Sequence, residues 1–170
     1  MAKASRHNLS IGISMTDIEK AVTTFQAYRA AIGYPKIPPY EGEVIEYDFG
    51  RKIESNQPDF WTQYHEFLRL SDGLAADGVY FYGIACEGKL IGNRLIDNND
   101  ALRDGEMYDE SMDGLIAIGS SNSDIFVYDT NTHKWESRDR IAIDDINESY
   151  DTLAELIDSQ LQRINIGDAF

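Results

Sequence analysis

Between residues 114 and 139 three strand-like runs follow one another almost without pause: "GLIAIGS", "SDIFVYD" and "HKWESRD". Only Ser/Asn and Asp/Thr/Asn turns separate them. Connections that short cannot carry a crossover, so neighbouring runs have to pair antiparallel. "GVYFYGI" (78–84) and "KLIG" (89–92) read as further strands upstream, and "EVIEYDFG" (43–50) alternates as a short strand.

Helices flank this sheet material. In "TDIEKAVTTFQAYRAAIG" (16–33), Thr16 and Glu19 match a capping box. Ile18, Ala21, Val22, Phe25, Tyr28 and Ile32 form one apolar stripe, and Gly33 stops it. "YPKIPPYEG" (34–42) is a Pro-punctuated loop. In "QPDFWTQYHEFLRLSDG" (57–73), Pro58 suits the first turn, Phe60, Trp61, Tyr64, Phe67 and Leu68 share a face, and Gly73 suits the stop. "NNDALRDGEMYDESMDG" is polar and acidic, with room for a short helix. "NESYDTLAELIDSQLQRI" (147–164) closes as an amphipathic helix with Tyr150, Leu153, Leu156, Ile157, Leu161 and Ile164 on its core side. Strands bunched between helices predict an α+β single domain: a central, mainly antiparallel sheet flanked by N-terminal, middle and C-terminal helices. Residues 15–170 form that domain, preceded by an N-terminal extension over 1–14.

The formal net charge of −15 is unevenly placed. Residues 1–56 carry seven Lys/Arg and seven Asp/Glu, residues 57–112 four against eleven, and residues 113–170 four against twelve. The excess lies wholly in the last two thirds of the chain. Such a field repels nucleic acid and anionic membranes and attracts basic partners, although solubility alone would also account for it. No run approaches the roughly 18 apolar residues of a membrane span. The N-terminal stretch has no long apolar segment or cleavage site, and Cys86, the single cysteine, reads as a small core residue in a reducing compartment. The expected location is the cytoplasm.

Two motifs tempt and fail. In "FYGIACEGKLIG" (81–92), Gly83, Gly88 and Lys89 have the spacing of a phosphate-binding loop, but Leu90 stands where Ser or Thr should hold magnesium. Glu87 would repel a phosphate, and a hairpin or turn explains Gly88 better. Asp109, Ser111, Asp113, Gly114 and Ile116 fit the front of a calcium loop, but its twelfth position is Ser120 instead of a bidentate Glu. His7, His65 and His133 have no second His or Cys at ligand spacing, which points away from zinc. No metal, cofactor or catalytic residue is expected. Among the aromatics, Tyr40, Tyr108 and Trp135 sit in or beside polar sequence and are the surface candidates.

The order of motifs resembles the SUKH superfamily, which groups a yeast cell-wall-synthesis regulator with bacterial immunity proteins, and within it the YrhA-like bacterial branch. The resemblance rests on Tyr64, Phe67, Leu68, Asp72 and Gly73, then Tyr82 and Gly83. It continues through Ile118, Gly119, Ser120, Asp124, Phe126, Tyr128 and Asp129, and ends with Tyr150, Leu153, Leu156 and Ile157. "QPDFW" replaces the family's usual Leu-Pro, and Asp72-Gly73 its Asn-Gly. The resemblance implies an immunity protein that binds a cognate, basic toxin domain in the cytoplasm, occludes its active site and performs no chemistry. It would bind neither nucleic acid nor membrane. The alternatives are a non-catalytic regulatory interaction module and, further off, a metal-dependent enzyme. The candidate toxin-binding residues are Asp97, Asp100, Asp104, Glu106, Asp109 and Glu110, with Tyr108 as anchor. The motivation is density, since residues 97–113 hold seven acids and one Arg. A solvated loop is the plain alternative.

Overall fold

The computed structural model describes residues 15–86, 92–104 and 108–168. The extension over 1–14, Gly88 and Lys89 of the phosphate-loop pattern, and Glu106 lie outside the described residues. The elements are α1 (Asp17–Ala31), α2 (Pro58–Leu70), β1 (Leu74–Ala76), β2 (Val79–Phe81), α3 (Leu95–Arg103), a 3-10 turn (Glu110–Met112), β3 (Leu115–Ser120), β4 (Asp124–Asp129), β5 (Lys134–Asp139), β6 (Ile146–Tyr150) and α4 (Leu153–Asp168). The six strands form one sheet in chain order, every neighbour antiparallel. The α+β arrangement therefore stands as predicted.

Local signals explain most of these elements. The Thr16 hydroxyl accepts the Glu19 N–H at 3.2 Å and starts α1. Ile18, Ala21, Val22 and Phe25 are buried, Tyr28 is half-buried, and Ile32 falls at the exposed C-cap, off the stripe. Pro58 opens α2, which buries Phe60, Tyr64, Phe67 and Leu68. After α2 the chain must turn sharply. Gly73 has φ +87°, and a Cβ there would lie 2.9 Å from the Phe81 carbonyl oxygen, so only glycine fits. Asp77 and Gly78, at φ 48° and 80°, make the two-residue turn between β1 and β2.

The core is an aromatic stack between helices and sheet. Phe60 packs on Tyr64 at 5.1 Å and on Trp135 at 5.5 Å, while Trp135 meets Tyr128 at 4.7 Å. Trp135 is 0% exposed, which corrects its reading as a surface residue. Its polar neighbours mislead because Glu136 and Arg138 are themselves buried. Arg138 bonds Glu136 at 2.7 Å and Asp129 at 3.1 Å. Burying one charge is costly, but charges paired and held by hydrogen bonds are tolerated.

Two further expectations change. Residues 43–50 form no strand; no ladder pairs them, and the segment is held by Phe49, buried against Trp61 and Phe60. Residues 146–150 are β6, not the start of the last helix; Trp135 pairs with Tyr150 and Glu136 with Ser149. The helix starts at Leu153 behind a second capping box, in which the Thr152 hydroxyl accepts the Glu155 N–H at 3.2 Å. The strand expected over "KLIG" (89–92) lies, but for Gly92, outside the described residues. Gly92 and Asn93 turn into α3, and the Leu95 N–H bonds the Gly83 carbonyl at 2.8 Å. In place of a phosphate, the Asp72 carboxylate takes the N–H groups of Ile84, Ala85 and Cys86 at 2.6, 3.1 and 3.1 Å.

Candidate functional site

β2 is only three residues long, so β3 loses its strand partner below Gly119. α3 fills the place with a side chain. The buried Asn99 amide donates to the Ala117 carbonyl at 2.8 Å, and its oxygen accepts the Ala117 N–H at 3.0 Å. That is the pair of bonds a neighbouring strand would make. Arg51 locks the joint: its guanidinium donates to Asn99 Oδ1 at 2.8 Å, to the Leu115 carbonyl at 2.6 Å and to the Met112 carbonyl at 2.7 Å. Burial lowers the Arg51 pKa from its ordinary value. The acidic segment is thus mounted on the sheet edge by buried polar bonds.

On this mount the expected residues divide. Asp97 is exposed and reaches Arg94 only at 4.0 Å. Asp100 is engaged, accepting the Tyr47 hydroxyl and pairing with Arg103 at 3.3 Å. Asp104 pairs with the same Arg103 at 3.4 Å. Asp109 caps the 3-10 turn by accepting the Ser111 N–H at 2.9 Å, and the hydrogen bonds from Ser111 hold its carboxyl below the usual range. Glu110 is exposed. Tyr108 is 48% exposed, as an anchor requires, with its hydroxyl 3.1 Å from Asp113 Oδ1. Tyr40, by contrast, is partly buried, and its hydroxyl bonds the Glu43 carbonyl at 2.9 Å. The positions that resemble a calcium loop do not surround one centre, since Asp113 faces Lys52 at 3.5 Å and Ile116 is buried in β3. Among the described residues no three His, Cys, Asp or Glu side chains converge as metal ligands.

Sequence reasoning missed the segment that completes this surface. Residues 45–54 run beside α3 and the 3-10 turn. Tyr47 bonds Asp100, the Arg103 guanidinium lies 5.5 Å from the Tyr47 ring and donates to the Asp48 carbonyl at 2.5 Å, and Lys52 reaches Asp113. Burial and the Asp100 hydrogen bond raise the Tyr47 pKa far above the ordinary phenol value, so it stays a neutral donor. Beside it opens a groove of about 460 Å³ lined by Ile45, Glu46, Tyr47, Asp48, Gln57 and Trp61. The half-buried Trp61 stacks on Phe49 at 6.0 Å and is held there. The signal available in the sequence was "EVIEYDFG" itself, where acids alternate with rings; the strand reading concealed it.

Together the described residues of these segments make an acidic surface carrying Tyr108, Tyr47 and Trp61. Along 45–54 and 94–113 the described residues count nine acids (Glu46, Asp48, Glu54, Asp97, Asp100, Asp104, Asp109, Glu110, Asp113) and four bases (Arg51, Lys52, Arg94, Arg103), so pairing leaves it negative. Such a face can bind cationic surfaces. No described helix is long and apolar enough to cross a membrane. No family model, curated protein or solved structure matches the chain.

Proposed function

We propose that this chain is a cytoplasmic immunity protein: a non-catalytic inhibitor that binds a basic toxin domain and covers its active site. The observation that carries the reading is the acidic face just described, anchored by Asn99 and Arg51 and set with exposed or half-exposed aromatic rings. Toxins that attack nucleic acid carry a basic site because their substrate is an anion, and a pre-organised acidic face attracts such a site by the same field. The rings supply contact area at low entropic cost, and the carboxylates accelerate encounter. The motif order resembling the SUKH superfamily supports the same conclusion.

The test is native mass spectrometry of the tagged protein purified from its own host at low and high salt. The expected result is one basic toxin domain held one-to-one, with association slowing as salt rises. Asp97→Lys with Glu110→Lys reverses two exposed carboxylates that no buried contact needs. This variant should slow association by about tenfold and leave dissociation nearly unchanged. A housekeeping protein as the captured partner would replace the immunity reading with a regulatory one. Unaltered association kinetics in the charge-reversed variant would remove this face from the interface.

A further inference from the structure

β6 is the last strand of the sheet, and no other described segment pairs with its outer edge. The Asp139 N–H bonds the Asp145 carbonyl at 3.0 Å, and Arg138 stands opposite Ile146 in the adjoining position. Bonded and non-bonded pairs alternate in an antiparallel ladder, so the Ile146 N–H and C=O point away from β5. The turn that leads into β6 is tightly held. Asp139 Oδ1 accepts the N–H groups of Ile141 and Ala142 at 2.8 and 2.7 Å, the Arg140 N–H bonds the Ser123 carbonyl at 3.0 Å, and the Asp145 N–H bonds the Ala142 carbonyl at 2.8 Å. This fixed turn displays Ile141 at 95% exposure, and the strand it leads into begins with Ile146 at 49%. An ordinary solvated turn has no reason to fix an isoleucine outward; isolated surface apolar residues are common, but here the turn that carries one leads directly into an open strand edge that starts with another.

The geometry points to a docking edge for a basic, extended segment of a partner protein, which adds to the sheet as a seventh strand beside β6. Ile146 supplies the backbone donor and acceptor, and Ile141 and Ile146 the apolar contact. Asp144 and Asp145, which have no side-chain partner among the described residues, receive alternate Lys or Arg side chains. Arg140 is the one exposed base in the turn. Charge decides between occupants. A second copy would bring another edge carrying the unpaired Asp144 and Asp145, on a chain of net charge −15, against this one. A cationic strand meets complementary charge instead. This edge is separate from the α3 face and does not rest on the immunity reading.

The probe is a blocked peptide of about eight residues, a short strand's length, alternating Lys and Val, with a Gln/Val peptide as control. It is titrated into the full chain and followed by amide NMR shifts and hydrogen exchange. The expected result is protection of the Ile146 amide and shifts confined to 139–150, with the Lys peptide binding at least tenfold tighter than the Gln peptide at low salt. Ile146→Pro removes an outward donor at the first residue of the strand, where Pro is tolerated, and should reduce binding at least tenfold. Asp144→Lys with Asp145→Lys sits in the exposed turn and should abolish the preference for Lys over Gln, a result that stands even where the proline variant misfolds. Equal binding of both peptides, shifts mapping to α3, or an unprotected Ile146 amide would overturn the proposal. So would self-association by sedimentation that Ile146→Pro dissolves, because the occupant is then a second copy.

Discussion

Asp72→Asn separates local bonding from overall charge, because the two predict opposite signs. The Asp72 carboxylate holds three consecutive N–H groups, those of Ile84, Ala85 and Cys86, at 2.6, 3.1 and 3.1 Å. Asparagine keeps one acceptor. Turned toward Ala85 and Cys86, which donate to the same oxygen, it retains both of those bonds, and its NH₂ then faces the Ile84 N–H, which is left unmatched. A hydrogen bond to a charged group contributes about 1.5–3 kcal/mol, so losing one and turning two from charged to neutral costs about 2 kcal/mol. Divided by a urea slope of about 2 kcal/mol/M, this lowers the midpoint by about 1 M with the slope unchanged. Removing one negative charge from a chain of −15 would instead raise the midpoint slightly if self-repulsion dominated. Equilibrium urea unfolding reads the sign directly. The same variant should expose the Cys86 thiol, whose Sγ lies 3.5 Å from the Asp72 carbonyl, to a thiol reagent. A midpoint that rises, or falls by less than about 0.3 M, would refute the argument that this turn is held by the carboxylate.

Burial, with Asp72 nearby, pushes the Cys86 thiol up to about 11. Below about pH 8.5 the thiol is protonated folded or unfolded; above it the unfolded chain loses the proton first, so stability falls as pH rises, measurable between about pH 8.5 and 9.5, before tyrosines titrate, as a decline in Tm that Cys86→Ala lessens. Arg138→Met strands the buried carboxylates of Asp129 and Glu136 and should cost about 3–5 kcal/mol in denaturant unfolding, far more than loss of a surface ion pair. Trp135→Ala removes the ring between Phe60 and Tyr128 and should cost about 3–5 kcal/mol by the same assay. Thr152→Ala deletes the α4 cap and should cost about 1 kcal/mol.

The helices were legible because their signals are local. Thr16 with Glu19, Pro58 at the first turn and the stripes of α1 and α2 act within one or two turns of chain. The start of α4 is hidden, because Tyr150 falls in helical register with Leu153 and Ile157, and only the structure shows Thr152 as the cap. β1 and its hairpin with β2 have no counterpart among the sequence expectations, although Asp77-Gly78 favours the turn that joins them. Trp135 was misplaced for a different reason. Polar neighbours usually mark a surface, but Glu136 and Asp129 share the Arg138 guanidinium inside the protein, and no one-dimensional pattern records that they meet. Of the candidate face, the acids and Tyr108 were visible in the sequence; Tyr47, Trp61 and the mount made by Asn99 and Arg51 were not.

The sequence by itself determined the parts whose physics is short-ranged: the bodies of α1, α2 and α4, the antiparallel run from β3 to β5, the sign and placement of the charge. Only the tertiary structure decided how they are used. β2 ends early, so a side-chain amide from α3 completes the β3 edge; β5 needs a neighbour, so residues 146–150 become a strand. Both outcomes follow from backbone N–H and C=O groups that must be satisfied by partners far away in the chain, a demand that has no signature in the residues that meet it.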